Sequence, residues 1–135
     1  MTLDPDDPTF FPALARACNE GLWVIDAAGR TVWVNERMAT MLGRAAAEMQ
    51  GSRLEDHMDP GLAGTARDNQ DRRRAGVREW HEFPFRRKDG TTLFARLSTG
   101  PLLDGAGAYV GAYALVLDAG SPAERGREES LEAAV

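Results

Sequence analysis

The segment from Gly21 to Gly51 constrains the fold more than any other part of the chain, because it predicts two strands, a tight turn and a helix in succession. The apolar runs at 22–25 and 32–34 have the length of short strands. Between them lies Asp26-Ala-Ala-Gly29, in which the glycine tolerates the positive φ that a tight reversal often needs. A β-hairpin therefore opens the predicted fold.

A helix is predicted directly after this hairpin. Asn35 ends the second strand, and its side chain is suited to capping a helix. Met38, Met41 and Leu42 follow at the i, i+3, i+4 spacing of one buried helical face.

The rest of the chain predicts three more helical segments and three strands. The longest helix has Asp59 as its predicted N-cap and Gly76 as its terminator. Asp89-Gly90 is a strong hairpin signal, and a second turn joins the last two strands into an antiparallel meander. The predicted elements are helical turns at 45–50 and 54–58, a helix at 61–75, and strands at 77–88, 91–103 and 109–118.

At 135 residues the chain is long enough for one domain with short tails and too short for two separate cores. We predict a disordered leader at 1–9, an N-terminal flanking helix at 10–19 capped by Thr9, the domain itself at 20–119, and a C-terminal linker helix at 120–135.

Charge and composition restrict the class of protein. The net charge of −5 argues against direct nucleic-acid binding, and the basic run Arg72–Arg74 is predicted to be the solvated end of a helix. No apolar run approaches the roughly 20 residues that cross a bilayer, so we expect a cytoplasmic protein without membrane contact. The lone Cys18 excludes an internal disulfide and a multi-cysteine metal site.

Four segments, taken in this order and spacing, resemble a PAS domain, the small sensory module of bacterial signal-transduction proteins. They are the hairpin ending in Val34-Asn35; Met41–Gly43 with Glu48–Gly51; Arg86–Gly90; and Ser98–Pro101 leading into Val110-Gly111 and Leu117-Asp118. The resemblance implies an α+β fold, in which a five-stranded antiparallel sheet carries helices on one face and encloses a small cavity with the long helix.

Side chains alternate between the two faces of a strand, which assigns each residue of the predicted sheet to one face. By analogy with the family, the inner, cavity-lining set is Trp23, Ile25, His81, Phe83, Phe85, Ala95, Leu97, Thr99, Ala112, Ala114 and Val116. The outer face is also apolar and must be shielded from water. We therefore predict a homodimer in which this face and the flanking helix form the contact. Its residues are Phe11, Leu14, Trp80, Phe94, Tyr113, Leu115 and Leu117.

No cofactor is predicted, although an unknown small ligand fits the resemblance, and a sensor that binds haem, or flavin without an adduct, is a remote alternative. Flavin-adduct chemistry in the light-oxygen-voltage branch needs a cysteine near 52–58, where there is none, and haem needs an axial ligand, usually a histidine on the long helix. His57 just before that helix is either a ligand or a capping or surface residue. His81 is either a buried neutral histidine bonded to backbone or a polar, pH-sensitive anchor for a ligand. No metal site is expected.

The sequence predicts a sensor rather than an enzyme, since no nucleophile–base constellation or phosphate-binding loop is present. A ligand in the cavity would change the sheet or its flanking helices and pass the signal to an effector, such as a histidine kinase, diguanylate cyclase or transcriptional regulator, on the same chain or on a partner. Asp118 and Ser121 occupy the expected output junction. The alternative is a ligand-free module for dimerisation or protein docking, which the large inward-facing rings favour.

Overall fold

The computed structural model describes residues 4–121 and residue 123. A hairpin, a set of helices and a three-stranded meander follow one another in the predicted order. The helices are α1 (Phe10–Ala17), α2 (Glu36–Met41), α3 (Ala46–Met49) and α4 (Ala63–Arg74), with 3-10 turns at Leu54–His57 and Pro60–Leu62. The strands are β1 (Gly21–Asp26), β2 (Thr31–Val34), β3 (Glu79–Arg86), β4 (Thr92–Leu103) and β5 (Tyr109–Asp118).

The five strands form one antiparallel sheet in the order β2-β1-β5-β4-β3. The last strand, β5, lies at the centre, where it pairs with the first, so that Ile25 stands opposite Ala112. The first and last strands of the domain are therefore neighbours in the sheet, and the helices are inserted in the chain between β2 and β3. The predicted α+β fold is confirmed.

The opening hairpin and its helix cap follow the predicted chemistry. Gly29 has a φ of 84°, and the Asp26 carboxylate accepts from the backbone N–H of Arg30 across the turn. The Asn35 side-chain oxygen accepts from the backbone of Met38 at 2.9 Å and also from that of Leu22 at 3.0 Å. Asn35 therefore both starts α2 and ties the helix to β1.

The core lies between one face of the sheet and helices α2 to α4. Buried side chains from α2, α3 and α4 meet the inner side chains of β1, β3, β4 and β5 in one cluster. The most deeply buried large members are Met38, Leu42, Met49, Met58, Leu93 and Val116. Flexible methionines fill the irregular space between the short helices and the sheet.

Two local predictions were wrong in detail. The long helix begins at Ala63, after the 3-10 turn at Pro60–Leu62, and Asp59 makes no side-chain cap. Thr9 likewise makes no cap to α1, because its hydroxyl bonds to Asp7 instead. The helical turn predicted at 54–58 is a 3-10 turn over Leu54–His57.

The flanking helix α1 has no buried residue. Its link to the domain includes the side chain of Asn35, which donates to the carbonyl of Ala15. The first three residues of the predicted leader, and all of the predicted C-terminal helix except residues 120, 121 and 123, lie outside the described part of the chain. Within the described part, no helix is long and apolar enough to cross a bilayer.

Candidate functional site

A small cavity lies between the inner face of the sheet and α4. Eight of the eleven predicted inner residues border it, namely Trp23, Ile25, His81, Phe83, Phe85, Leu97, Ala112 and Ala114. The other three, Ala95, Thr99 and Val116, are buried on the same face but do not border the cavity. Tyr113, predicted on the opposite face, also borders it, although its ring packs beside Gly100.

Three aromatic rings occupy much of this inner face. The Phe83 and Phe85 rings are 4.9 Å apart between centroids, and Trp23 lies 5.3 Å from Phe85. The space that remains is about 30 Å³, which has room for one or two water-sized molecules. Any larger occupant requires these side chains to move.

Three polar residues are among those that border the otherwise apolar cavity: Asn69 and Arg73 from α4, and His81 from β3. Arg73 is only 6% exposed, and its terminal nitrogen Nη2 lies 3.4 Å from Nε2 of His81. Burial lowers the pKa of Arg73. Its Nε has no hydrogen-bond partner among the described residues.

The burial of Arg73 corrects the prediction that the basic run Arg72–Arg74 is solvated. Arg72 and Arg74 are exposed as expected, and Arg72 pairs with the Glu79 carboxylate. Arg73 instead shares the inner side of α4 with the buried residues Ala66, Asn69 and Gln70. These four positions have the i, i+3, i+4, i+7 spacing of one helical face, so the sequence contained a signal for this buried face.

His81 lies at the cavity as predicted, but its neighbours differ from those considered. It is half-buried, and its ring faces the Arg73 guanidinium rather than a backbone group. Burial and the nearby Arg73 charge lower the pKa of His81, whereas Glu79 acts in the opposite direction. The ring is therefore predominantly neutral at neutral pH.

His57 is neither on the surface nor a helix cap, which corrects that part of the prediction. It is 2% exposed, and its ring meets Trp23 edge-on at 5.3 Å. Its Nε2 lies 2.9 Å from the Ser52 hydroxyl, which in turn lies 3.2 Å from that of Thr31. Thr31 accepts from the Trp23 indole at 2.9 Å, so the chain of bonds fixes the orientation of Trp23 at the cavity.

The hydrogen-bond directions in this chain identify the protonated nitrogen of His57. The Ser52 hydroxyl donates to the carbonyl of Met49 at 2.5 Å, so His57 Nε2 must donate to Ser52. Nδ1 is then an unprotonated, buried nitrogen, and it has no partner among the described residues. Burial, with the Arg44 charge, lowers the pKa of His57 from 6.5 to about 4.

The predicted outer residues lie mainly on the opposite face of the sheet and on α1. Phe94, Tyr113 and Leu115 are half-buried there, whereas Leu117 and Trp80 are exposed, Trp80 to 64%. On α1, Phe11 and Leu14 are exposed to 65% and 54%. Sequence reasoning omitted Leu22 and Val24, which alternation also assigns to this face, where they pair with Leu115 and Tyr113.

The predicted output residues lie where β5 ends. The Asp118 carboxylate is 3.6 Å from the Arg87 guanidinium and accepts from the backbone N–H of Gly120 at 2.9 Å. Ser121 follows and is half-buried. No group of three or more residues suited to hold a metal ion is found within residues 4–121.

Comparison with known proteins gives one family. The family model for the PAS fold matches residues 16–124, whereas no curated protein sequence matches. The PAS domain of a Colwellia psychrerythraea protein is 17% identical, with a TM-score of 0.72 over 80% of this chain and 92% of that one. A domain of a sensory box sensor histidine kinase/response regulator from Geobacter sulfurreducens is 21% identical, with a TM-score of 0.66 over 78% and 90%.

An RNA-binding Light-Oxygen-Voltage receptor is also similar, at 21% identity and a TM-score of 0.77. It covers 100% of this chain, but the chain covers only 40% of the receptor. At these identities the structural likeness concerns the fold alone. Since the family model covers most of the chain and the sheet and helices have the matching arrangement, the chain belongs to the PAS fold family.

Proposed function

We propose that this chain is the sensory domain of a signalling protein, and that a small molecule bound between the sheet and α4 is its signal. The observation that carries the proposal is the presence of Asn69, Arg73 and His81 on the border of a largely apolar cavity. A few convergent polar groups on an apolar pocket are typical of small-molecule sites. A core with only a structural role would be more stable with apolar side chains at these positions.

The family and its neighbours supply the context of the proposed signal. PAS domains are typically found in signalling proteins, and one of the similar structures comes from a sensor histidine kinase. The proposed effector is therefore a histidine kinase, diguanylate cyclase or transcriptional regulator, on the same chain or on a partner. The junction at Asp118 and Ser121 would carry the change to it. The role proposed for this domain is binding, not catalysis.

The proposed ligand is neither haem nor flavin. Residues 52–58 lack the cysteine of flavin-adduct chemistry, and α4 has no histidine. His57 is already engaged with Ser52 and packs on Trp23. Both cofactors are also far larger than the space of about 30 Å³ beside the three aromatic rings.

A second candidate function is dimerisation or protein docking without a ligand. Two observations favour it: the cavity is largely filled by aromatic side chains, and the outer face of the sheet leaves Trp80 and Leu117 exposed. The two functions are compatible, since a dimer can transmit what the cavity binds.

Native mass spectrometry and thermal-shift screening against a metabolite library test the sensory proposal. We expect a retained small molecule, or a compound that raises the melting temperature. Ala66→Leu places a larger side chain into the cavity and should abolish that effect, whereas Ala47→Leu, on the exposed side of α3, should leave it unchanged. An empty wild-type protein that responds to no compound would leave dimerisation or docking as the function.

A further inference from the structure

The charge of Arg73 has no counter-charge within the described part of the chain. Arg73 is 6% exposed, and none of the ion pairs there includes it. Tyr109 and Glu79 act to raise the pKa of Arg73, but the Glu79 carboxylate already pairs with Arg72. A buried guanidinium without an anion is unfavourable, and Arg73 cannot become neutral near pH 7.

The donors around Arg73 belong to the cavity. Nε of Arg73 is buried without a partner among the described residues, and Asn69, one turn earlier on α4, also borders the cavity. The contact that Arg73 does make, 3.4 Å to His81, is long for a hydrogen bond. Two donor groups and one positive charge therefore meet at the edge of an apolar space.

We infer that the ligand of the proposed sensory site is a small monocarboxylate. This inference rests on the proposed function and identifies its ligand. The carboxylate would bind the guanidinium through two parallel hydrogen bonds, which a planar guanidinium and a planar carboxylate favour. The Asn69 amide would donate to one of the same oxygens, and a short apolar chain would contact Ile25, Leu97 and Ala112.

Charge and volume limit the ligand to this class. A single guanidinium balances one negative charge, so a dianion such as phosphate would keep an unbalanced buried charge. Even butyrate is larger than the space of about 30 Å³, so its chain enters only as the aromatic side chains shift, and a bulky body would require a larger movement. The apolar lining beyond Arg73 favours a hydrocarbon chain over a hydroxylated one.

The test measures binding of acetate, propionate and butyrate by calorimetry and thermal shift at neutral pH, with butyramide and inorganic phosphate as comparison probes. We expect butyrate or propionate to bind and to raise the melting temperature, with butyramide and phosphate binding at least about tenfold more weakly. Arg73→Gln should weaken carboxylate binding by about tenfold or more. Arg67→Gln, an exposed arginine on the same helix, should leave it unchanged.

A second variant separates a binding role of Arg73 from a structural one. Arg73→Met removes the buried charge and should raise the melting temperature of the ligand-free protein while abolishing the shift caused by butyrate. A fall in melting temperature with carboxylate binding retained would show a purely structural arginine and overturn the inference.

The remaining outcomes separate this inference from the proposed function. Equal affinity for butyrate and butyramide, or retention of a neutral compound by the purified protein with no carboxylate binding, would refute the carboxylate and keep the sensory site. Absence of any bound molecule, in the carboxylate series and in the wider library, would refute both.

Discussion

Two basic side chains are buried in this domain, and they differ in whether they keep their charge. His57 is neutral, since its one N–H bonds to Ser52 and its other nitrogen faces a site without a donor. Arg73 has no neutral form near pH 7, so its burial persists only with a compensating interaction. A neutral histidine orients Trp23, whereas the buried guanidinium is the group that the carboxylate proposed above would pair with.

The low pKa of His57 predicts acid sensitivity of the fold. Below pH 6.5 the unfolded histidine takes up a proton that the folded one, with a pKa of about 4, does not. The stabilisation is therefore complete above pH 6.5 and is lost as the pH falls towards 4. Between pH 7.5 and pH 5 the loss from His57 amounts to about 2 kcal/mol of unfolding free energy.

Urea unfolding of the wild type and of His57→Gln at both pH values measures this contribution. Carboxylates titrate in both proteins, so their effect on the unfolding free energy cancels when the two proteins are compared. Glutamine retains an N–H donor for Ser52. On acidification from pH 7.5 to pH 5, the unfolding free energy of the variant should fall by about 2 kcal/mol less than that of the wild type. The same loss in both proteins would show that His57 does not titrate in this way.

At the scale of elements, the sequence predicts best where a turn or cap has its own chemistry. Gly29, Asn35 and the Asp89-Gly90 turn identify the hairpins and the start of α2 because each acts through its immediate neighbours. The start of α4 was misplaced because a 3-10 turn precedes it and no side chain marks the change. The burial of Arg73 was not predicted, because a run of three arginines favours a solvated helix end. That burial depends on β3 lying beside α4.

A close approach between β1 and β5 was also not predicted, because it depends on residues far apart in the sequence. Gly111 on β5 lies against the backbone carbonyl of Ile25 on β1, so that a β-carbon on residue 111 would collide with it. A backbone oxygen held in a sheet cannot move aside as a flexible side chain does.

Gly111→Ala should therefore destabilise the domain by about 2–3 kcal/mol, because it forces apart the pairing that joins the first and last strands. Gly105→Ala is the matched control, since nothing lies near a β-carbon at that position. Denaturant midpoints with an unchanged m-value give both differences. Similar losses for the two variants would contradict a specific contact between β1 and β5.

At the scale of the whole molecule, the two faces of the sheet have different partners. The inner face packs on α2 to α4, whereas the outer face and α1 keep large apolar side chains in contact with solvent. Phe11, Leu14 and Trp80 are each more than half exposed, so an acidic side chain at these positions costs the folded monomer little. A substitution there reports on association rather than on folding.

We therefore predict a homodimer whose contact includes α1 and the outer face. Leu14→Glu and Trp80→Glu should each shift the protein from dimer to monomer in sedimentation velocity, raising the dissociation constant by about tenfold or more. Leu103→Glu is the control, because Leu103 is 53% exposed but lies at the end of β4, outside the predicted dimer contact. A wild type that stays monomeric at the highest attainable concentration would exclude this dimer. Loss of the dimer in Leu103→Glu alone would place the contact at the β4–β5 turn instead.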